Sequence, residues 1–349
     1  MPLMETIPRT TLRRELRWVV ASQCPRGWRA LVERCGGSVF HSPAGLAAAA
    51  PPGTPVFAEL SLGNETAGLA AGVAARCQFG LKPRHFYFPT VPAVLEPSQR
   101  EAALTALVDQ LRARGAADIQ VDSYDGSWQP EPGGSATAHD RLEYVVRLQG
   151  SRDELVSQCS KHHRRHVQRG ERDGWGLRIL DGARARDLLS EVQREASVRA
   201  LERGDPFAAA LPDVVLTSPE GPAPWGITTW SAWHDQTPLA AALVGWANRR
   251  AFYLIGGSTQ AGYERDAAQW LHWRIMCTLA DTGFTHYNLG GTPASAVNPG
   301  DPSHGLHRFK TGFGAEVVSC RSVGWTLSPV HAHVHRVARW VAAHIRPSA

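Results

Sequence analysis

The stretch LAAALVGWANRRAFYLIGG, residues 239–257, decides the fold class. Two apolar runs within it, Leu239–Trp246 and Ala251–Ile255, are separated by a short turn, and a similar run at Ile227–Trp233 precedes them. Runs of this length, bounded by turn residues, predict an antiparallel meander of strands. A helix and a further strand are predicted to follow, at Gln269–Thr282 and Thr285–Leu289. Hairpin-linked strands with helices between them indicate an α/β fold with mixed, mainly antiparallel sheets.

The N-terminal half repeats this order of elements. Its predicted strands are Val56–Leu62, Ala67–Ala75, His85–Phe88, Asp118–Tyr124 and Arg141–Leu148, with a helix at Pro97–Arg114. A second series begins near residue 150, where Ser151 and Glu154 form a capping-box pattern that opens a helix predicted to run to about Arg172. Because 349 residues suffice for two cores of ordinary size, the sequence predicts two domains.

Composition excludes several classes of protein. No apolar run reaches about eighteen residues, and the stretch Leu16–Cys24 is too short to span a bilayer, which argues against a membrane-spanning helix. The six cysteines are widely scattered, which favours a reducing, cytoplasmic compartment over a disulfide scaffold or a zinc site. A net charge of +5 and a pI near 9.0 favour anionic partners.

The most concentrated charge lies in the segment SKHHRRHVQRGER, residues 160–172. If this segment is helical, four cations at intervals of three or four residues share one face and a fifth lies beside them. The five cations are Lys161, Arg164, Arg165, Arg169 and Arg172. Such a face attracts phosphate groups by charge and by bidentate guanidinium contacts. A solvated helix face without a ligand is the alternative interpretation.

Several nucleotide-binding and hydrolase motifs are absent from the sequence. It contains no Walker A segment, no GxGxxG turn after a strand and no GxSxG elbow. The Arg/Gln-x-x-Gly-x-Gly/Ala loop of acetyl-CoA-dependent acetyltransferases is also not evident, which counts against a pantetheine donor. His331, His333 and His335 could bind a metal ion only if further ligands converge on them, so no metal site is predicted.

The segment GLHRFKTGFG, residues 305–314, is the strongest candidate for chemistry. It follows a strand and turn ending at Gly291 and then a long loop, and loops of that length usually carry function. Lys310 lies between Phe309 and Phe313, where a fixed cation could stabilise the oxyanion formed when an amine attacks an ester. From these residues alone, a surface lysine between two core phenylalanines is the favoured interpretation.

Four segments together resemble the FemABX family. They are Tyr253–Ser258, the Trp-containing helix at 269–282, the strand that ends in Leu289-Gly-Gly291, and Gly305–Lys310. Members of this family are aminoacyl-tRNA-dependent peptidyltransferases built from two tandem GNAT-like domains, the acyl-CoA N-acyltransferase-like fold. The resemblance therefore implies a first GNAT-like domain at 1–149 plus 317–349 and a second at 150–316.

The resemblance also implies roles for individual residues. Phe309 and Lys310 match the Phe-Lys pair of the family's reaction centre, where the lysine stabilises the tetrahedral intermediate, so both are expected to be catalytic. Arg203, Phe207 and Tyr253 match substrate-contacting positions. The residues expected to hold tRNA phosphates are Lys161, Arg164, Arg165, Arg169 and Arg172.

The expected reaction transfers an amino acid from aminoacyl-tRNA, as co-substrate, to an amine of a small peptide-like acceptor, without a metal or other cofactor. Cell-wall members have a Trp and a following Lys where this chain has Ser42-Pro-Ala-Gly-Leu46 and then alanines at 47–50. This difference favours peptide natural-product or antibiotic biosynthesis over a muropeptide acceptor. Two alternatives stay open, namely an N-acyltransferase with an acyl-CoA or acyl-carrier donor, and a non-catalytic RNA-binding module.

Overall fold

The computed structural model describes residues 16–75, 85–126, 128–131, 133, 136–202 and 225–330. The strands are β1 (Leu16–Ala21), β2 (Gly53–Leu62), β3 (Glu65–Ala75), β4 (His85–Phe88), β5 (Ala93–Val94), β6 (Asp118–Val121), β7 (Thr137–Arg147), β8 (Gly176–Leu180), β9 (Trp225–His234), β10 (Thr237–Ala247), β11 (Arg250–Ser258), β12 (His286–Pro293) and β13 (Glu316–Thr326). The helices are α1 (Trp28–Arg34), α2 (Pro43–Ala49), α3 (Arg100–Ala113), α4 (Arg152–Gln158), α5 (Lys161–Arg172), α6 (Gly182–Glu202), α7 (Gln260–Tyr263), α8 (Ala267–Asp281) and α9 (His304–Thr311).

These strands form one continuous sheet in the order β1-β2-β3-β4-β6-β13-β7-β12-β11-β10-β9-β8, with β5 paired to β3. Within the described residues, the parallel pairs are β4 with β6 and β11 with β12, and the remaining pairs are antiparallel. A parallel pair requires a crossover connection, which α3 supplies in the first half and α8 in the second. The predicted mixed, mainly antiparallel α/β architecture is confirmed.

The two halves of the chain exchange strands at the centre of the sheet. β13 comes from the C-terminal half but pairs with β6, whereas β7 comes from the N-terminal half but pairs with β12. The two exchanged strands also pair with each other. This exchange joins the halves into one sheet. The predicted division at 1–149 plus 317–349 and 150–316 stays a prediction.

The parallel pair β11 and β12 opens into a gap. Its hydrogen-bonded register runs only from Arg250 opposite His286 to Phe252 opposite Asn288, although β11 continues to Ser258 and β12 to Pro293. The two strands therefore diverge along their C-terminal parts. Ligands in α/β sheets commonly bind where neighbouring strands separate at their carboxyl ends. This gap between β11 and β12, called the strand gap below, holds the candidate site.

One apolar core lies mainly in each half, and a third combines residues of both halves. In α3, Leu104, Leu107 and Leu111 recur at helical spacing and are buried in the core of the first half. In α8, buried residues lie on nearly all faces, and Trp270 and Met276 belong to the core under β10 and β12. α8 is therefore covered on most sides by other parts of the fold. None of the described helices is long and apolar enough to span a membrane.

The helix predicted from Ser151 to about Arg172 is in fact two helices. The capping box at its start is confirmed, because Ser151 N donates to Glu154 Oε2 at 2.6 Å and Glu154 N donates to Ser151 Oγ at 3.2 Å. The break comes at Ser160, whose Oγ accepts a hydrogen bond from His163 N at 3.2 Å and so caps a new helix, α5.

Candidate active site

A bulge in β12 shapes the strand gap. The register of β12 on β7 shifts between Asn288 and Gly291, and Gly290 between them has a φ of +75°. Asn288 Oδ1 accepts a hydrogen bond from Gly290 N at 2.7 Å. A Cβ at Gly291 would lie 2.0 Å from Arg141 Nη2 and 2.5 Å from Glu143 Oε1. The left-handed backbone favours glycine at position 290, and a side chain at position 291 would displace the Arg141 and Glu143 side chains.

Lys310 is buried beside this bulge. Its side chain enters from α9 and is only 6% exposed, and Nζ donates a hydrogen bond to the carbonyl oxygen of Gly291 at 2.9 Å. Nζ also lies 5.4 Å from the centre of the Tyr144 ring. The interpretation of Lys310 as a surface lysine is therefore wrong, because α9 turns this residue inward while Leu306 on the same helix is exposed.

The charge of Lys310 is set by burial and by one acid. Burial lowers the pKa of Lys310 to about 8, and the nearby Glu143 carboxylate partly opposes this shift. Glu143 is itself buried, and Arg141 Nη2 lies 2.5 Å from its Oε1. Burial raises the pKa of Glu143, while the cations Arg141 and Lys310 act against that rise. Lys310 is thus a cation at neutral pH that loses its proton slightly above it.

An aromatic cluster supports α9 from behind. The ring of Phe313 lies 5.3 Å from that of Phe309 and 4.4 Å from that of His163. His163 Nε2 lies 2.9 Å from the carbonyl oxygen of Phe309, which can only accept, so Nε2 carries the proton. Burial lowers the pKa of His163 to about 4. A Cβ at Gly312 would lie 2.1 Å from this imidazole, so glycine is required there.

Tyr253 lies on the part of β11 that has separated from β12. Its ring contacts that of His272 edge to face, with centroids 4.7 Å apart, and His272 Nδ1 lies 2.9 Å from the Tyr287 hydroxyl. Burial lowers the pKa of His272 to about 3, and the cation of Lys310 contributes to this shift. Burial also raises the pKa of Tyr253 above its ordinary value. Both side chains are therefore neutral at physiological pH.

Two cavities meet at Phe309 and Gln269, which line both. The inner cavity, of about 240 Å³, lies against β11 and α8 and is lined also by Tyr253, Gly256 and His272. The outer cavity, of about 460 Å³, is lined also by Ser160, His162, His163, Arg308 and Thr311. Of the predicted catalytic pair, Phe309 forms the wall between the cavities. Lys310, the next residue of α9, is not among the described lining residues of either cavity. Its side chain enters the strand gap instead.

The five predicted tRNA-binding cations all lie on α5 but are not equivalent. Lys161 and Arg165 are exposed and form no ion pair among the described residues. Arg164 Nη1 donates to the Ser157 and Cys159 carbonyl oxygens at 3.1 and 2.9 Å, so it helps to terminate α4. The remaining two, Arg169 and Arg172, lie 3.5 and 3.6 Å from carboxylate oxygens of Asp173. Free positive charge on α5 is therefore concentrated near its N-terminus.

Some predicted positions lie outside the described residues, and some site residues were not predicted. Arg203 and Phe207 fall in the range 203–224, and His331, His333 and His335 fall in 331–349, neither of which is described. Glu143, Arg141 and His272 were missed. A signal for Glu143 was present, because a lone acid inside the apolar strand RLEYVVR indicates a buried charge with a partner.

Comparison with known proteins supports an acyltransferase fold. A family model described as an acetyltransferase (GNAT) domain matches residues 157–311. The structure of FemX is similar with a TM-score of 0.53 and 13% identity, over 76% of this chain and 87% of that chain. L-PGS from Bacillus licheniformis is similar with a TM-score of 0.54 and 13% identity, over 91% of this chain and 97% of that one. No curated protein matches the chain.

At this level of identity the similar structures show the fold alone. The family match falls on the second half, and the first half repeats its element order, including a parallel strand pair with a helical crossover. The predicted fold class, two GNAT-like units with mixed, mainly antiparallel strands, is confirmed. The match supports a transferase of acyl groups.

Proposed function

We propose that the chain is a FemABX-like aminoacyltransferase that moves an amino acid from aminoacyl-tRNA to an amine of a small peptide-like acceptor. The observation that carries this proposal is Lys310, a buried cation held at the strand gap near two neighbouring cavities. Burying a charged lysine costs free energy, so a buried lysine usually has a charged partner or a function. Here it lies at the carboxyl ends of the diverging strands, where α/β sheets commonly bind their ligands.

In this mechanism the amine nitrogen attacks the ester carbonyl carbon of the aminoacyl group and forms a C–N bond. The carbonyl oxygen becomes an oxyanion, which Lys310 stabilises with an N–H that is not donated to Gly291. Collapse of the intermediate breaks the C–O bond to the tRNA ribose. The ribose oxygen takes the proton that the attacking amine releases, so atoms and charge balance without a cofactor.

The two cavities suit the two parts of this donor. The inner cavity of about 240 Å³ is smaller than the roughly 300–1,000 Å³ typical of drug-sized ligands, so it fits a single aminoacyl group. The outer cavity is larger and has Arg308 and His162 in its wall, which suits the terminal nucleotide and its phosphates. Phe309 would then lie where the ester joins the two parts. His272 and Tyr253 are neutral, whereas Arg199 and Asp266 supply charged side chains to the wall of the inner cavity.

We assign the exposed cations of α5 to tRNA phosphates. Replacing both Lys161 and Arg165 with Ala should weaken tRNA binding and make it less dependent on salt. The slope of log K against log[salt] should become shallower by about one unit for each phosphate that the variant no longer neutralises. A salt titration of tRNA binding measures this slope. Arg112→Ala on α3, an exposed arginine distant in sequence, is the control and should leave the slope unchanged. An unchanged slope in the double variant would remove Lys161 and Arg165 from the tRNA interface.

The same proposal extends to the acceptor, to the cellular location and to two residues outside the described part of the chain. Arg203 and Phe207 are proposed to contact a peptide-like acceptor in the cytoplasm, in natural-product assembly. The GNAT family match keeps one alternative, an N-acyltransferase that takes its acyl group from acyl-CoA or an acyl carrier.

A donor comparison separates the two functions. Wild-type protein is incubated with a pool of dipeptide amides and either radiolabelled aminoacyl-tRNA or radiolabelled acetyl-CoA. Label is expected in the dipeptide pool only from tRNA, and prior treatment of the tRNA with RNase should abolish it. Transfer from acetyl-CoA that RNase does not affect would favour the alternative.

A further inference from the structure

A cluster of two histidines and one aspartate joins α5 to the start of α8. His162 and His166 are one helical turn apart on α5, with ring centroids 4.4 Å apart. Asp266 precedes α8, and its Oδ2 lies 3.3 Å from His166 Nδ1. One ligand atom from each of the three residues lies within 4.8 Å of the others. Three potential ligands therefore converge from two separate elements.

One atom of this cluster has no hydrogen-bond partner. His166 Nδ1 is buried, and among the described residues it forms no hydrogen bond of acceptable geometry despite its proximity to Asp266. Buried polar atoms are nearly always satisfied by a protein group, water or an ion. Asp266 also has a left-handed backbone with a φ of +56°, which is uncommon outside glycine and marks a locally constrained position.

The spacing and the ligand types suit a borderline transition-metal ion. Ligand atoms about 2.0–2.1 Å from a tetrahedral zinc ion lie roughly 3.3 Å from one another. The distance from His166 Nδ1 to Asp266 Oδ2 already has this value, and His162 is exposed and can move by the small amount required. Two imidazoles favour Zn²⁺, Co²⁺ or Ni²⁺ over Mg²⁺ and Ca²⁺, which prefer oxygen ligands.

We propose that His162, His166 and Asp266 bind a zinc ion or a similar divalent transition-metal ion beside the two cavities. His162 lines the outer cavity and Asp266 lines the inner one, so the ion would connect α5 and α8 where the cavities adjoin. Three protein ligands leave a fourth position for water or an anionic group of a bound molecule. The sequence predicted no metal site, but only the cysteines and His331, His333 and His335 were considered there. The site proposed here uses different residues. It does not depend on the proposed transfer reaction.

The test measures zinc binding to the chain. The protein is first stripped of metal with EDTA, and zinc binding is then measured by calorimetry and by metal analysis after dialysis. Wild type is expected to bind one zinc ion per chain, with Mg²⁺ not competing. His162→Ala and Asp266→Asn should each weaken zinc binding at least about tenfold. Asn tolerates the left-handed backbone of Asp266, and His162 is exposed, so both metal-free variants should melt like the wild type.

His139→Ala is the matched control, because His139 is exposed on β7 outside the cluster, and it should bind zinc like the wild type. The proposal is overturned if the wild type binds no zinc, or if His162→Ala and Asp266→Asn both retain wild-type affinity. If one variant is unstable, the zinc affinity of the other decides.

Discussion

Lys310→Met is expected to lower kcat for acyl transfer by about 10²–10³-fold, the typical cost of removing one donor to an oxyanion. Methionine has a similar length but no charge, and Arg141 continues to neutralise Glu143 after the substitution. The variant should therefore fold, which its melting temperature checks. A folded variant with wild-type kcat would return Lys310 to a purely structural role.

The pH dependence of the same reaction provides a second readout for Lys310. Because burial lowers its pKa to about 8, the cation is present below that pH and is lost above it. Above about pH 8 the kcat of the enzyme should decrease, approaching a tenfold loss for each further pH unit. The rate of uncatalysed aminolysis should instead rise, because more of the amine is deprotonated. Lys310→Arg should show no such fall up to pH 9, since the guanidinium stays protonated. An identical fall in that variant would assign the titration to another group.

Phe313→Ala is expected to lower the free energy of unfolding by about 3–5 kcal/mol, as is typical when a buried phenylalanine is truncated. Its ring is fully buried and packs against Phe309, His163 and His272, so a cavity would form directly behind α9. Urea denaturation measures the change.

Leu306→Ala is the control for this prediction because Leu306 is an apolar residue of α9 that is 45% exposed. It should change the free energy of unfolding by less than about 0.5 kcal/mol. Equal effects of the two substitutions would show that the aromatic cluster does not support α9.

Local patterns in the sequence predicted most of the secondary structure, and non-local geometry accounts for the rest. The meander β9 to β11 and the capping box at Ser151 depend on neighbouring residues, so they could be predicted. The exchange of β7 and β13 depends on which distant strands pair, and apolar alternation does not encode that choice. The division of one predicted helix at Ser160 was missed because a serine within a polar segment is a common feature of helices as well as of their N-termini.

The candidate site was predicted in part. The resemblance selected Phe309 and Lys310, whereas residue type alone favoured a surface lysine. The burial of Lys310 arises from the bulge at Gly290 and Gly291 and from the inward face of α9, both of which depend on tertiary packing. His272 was missed because a histidine in an apolar helix carries no signal of the cavity that it lines.

The most direct measurement of the central claim is single-turnover transfer from tRNA charged with the twenty radiolabelled amino acids to the dipeptide-amide pool. The wild type is compared with Lys310→Met in the same experiment, with and without prior RNase treatment. The account predicts RNase-sensitive transfer by the wild type and loss of most of it in the variant. Equal transfer by both proteins, or transfer that persists after RNase treatment, would contradict it.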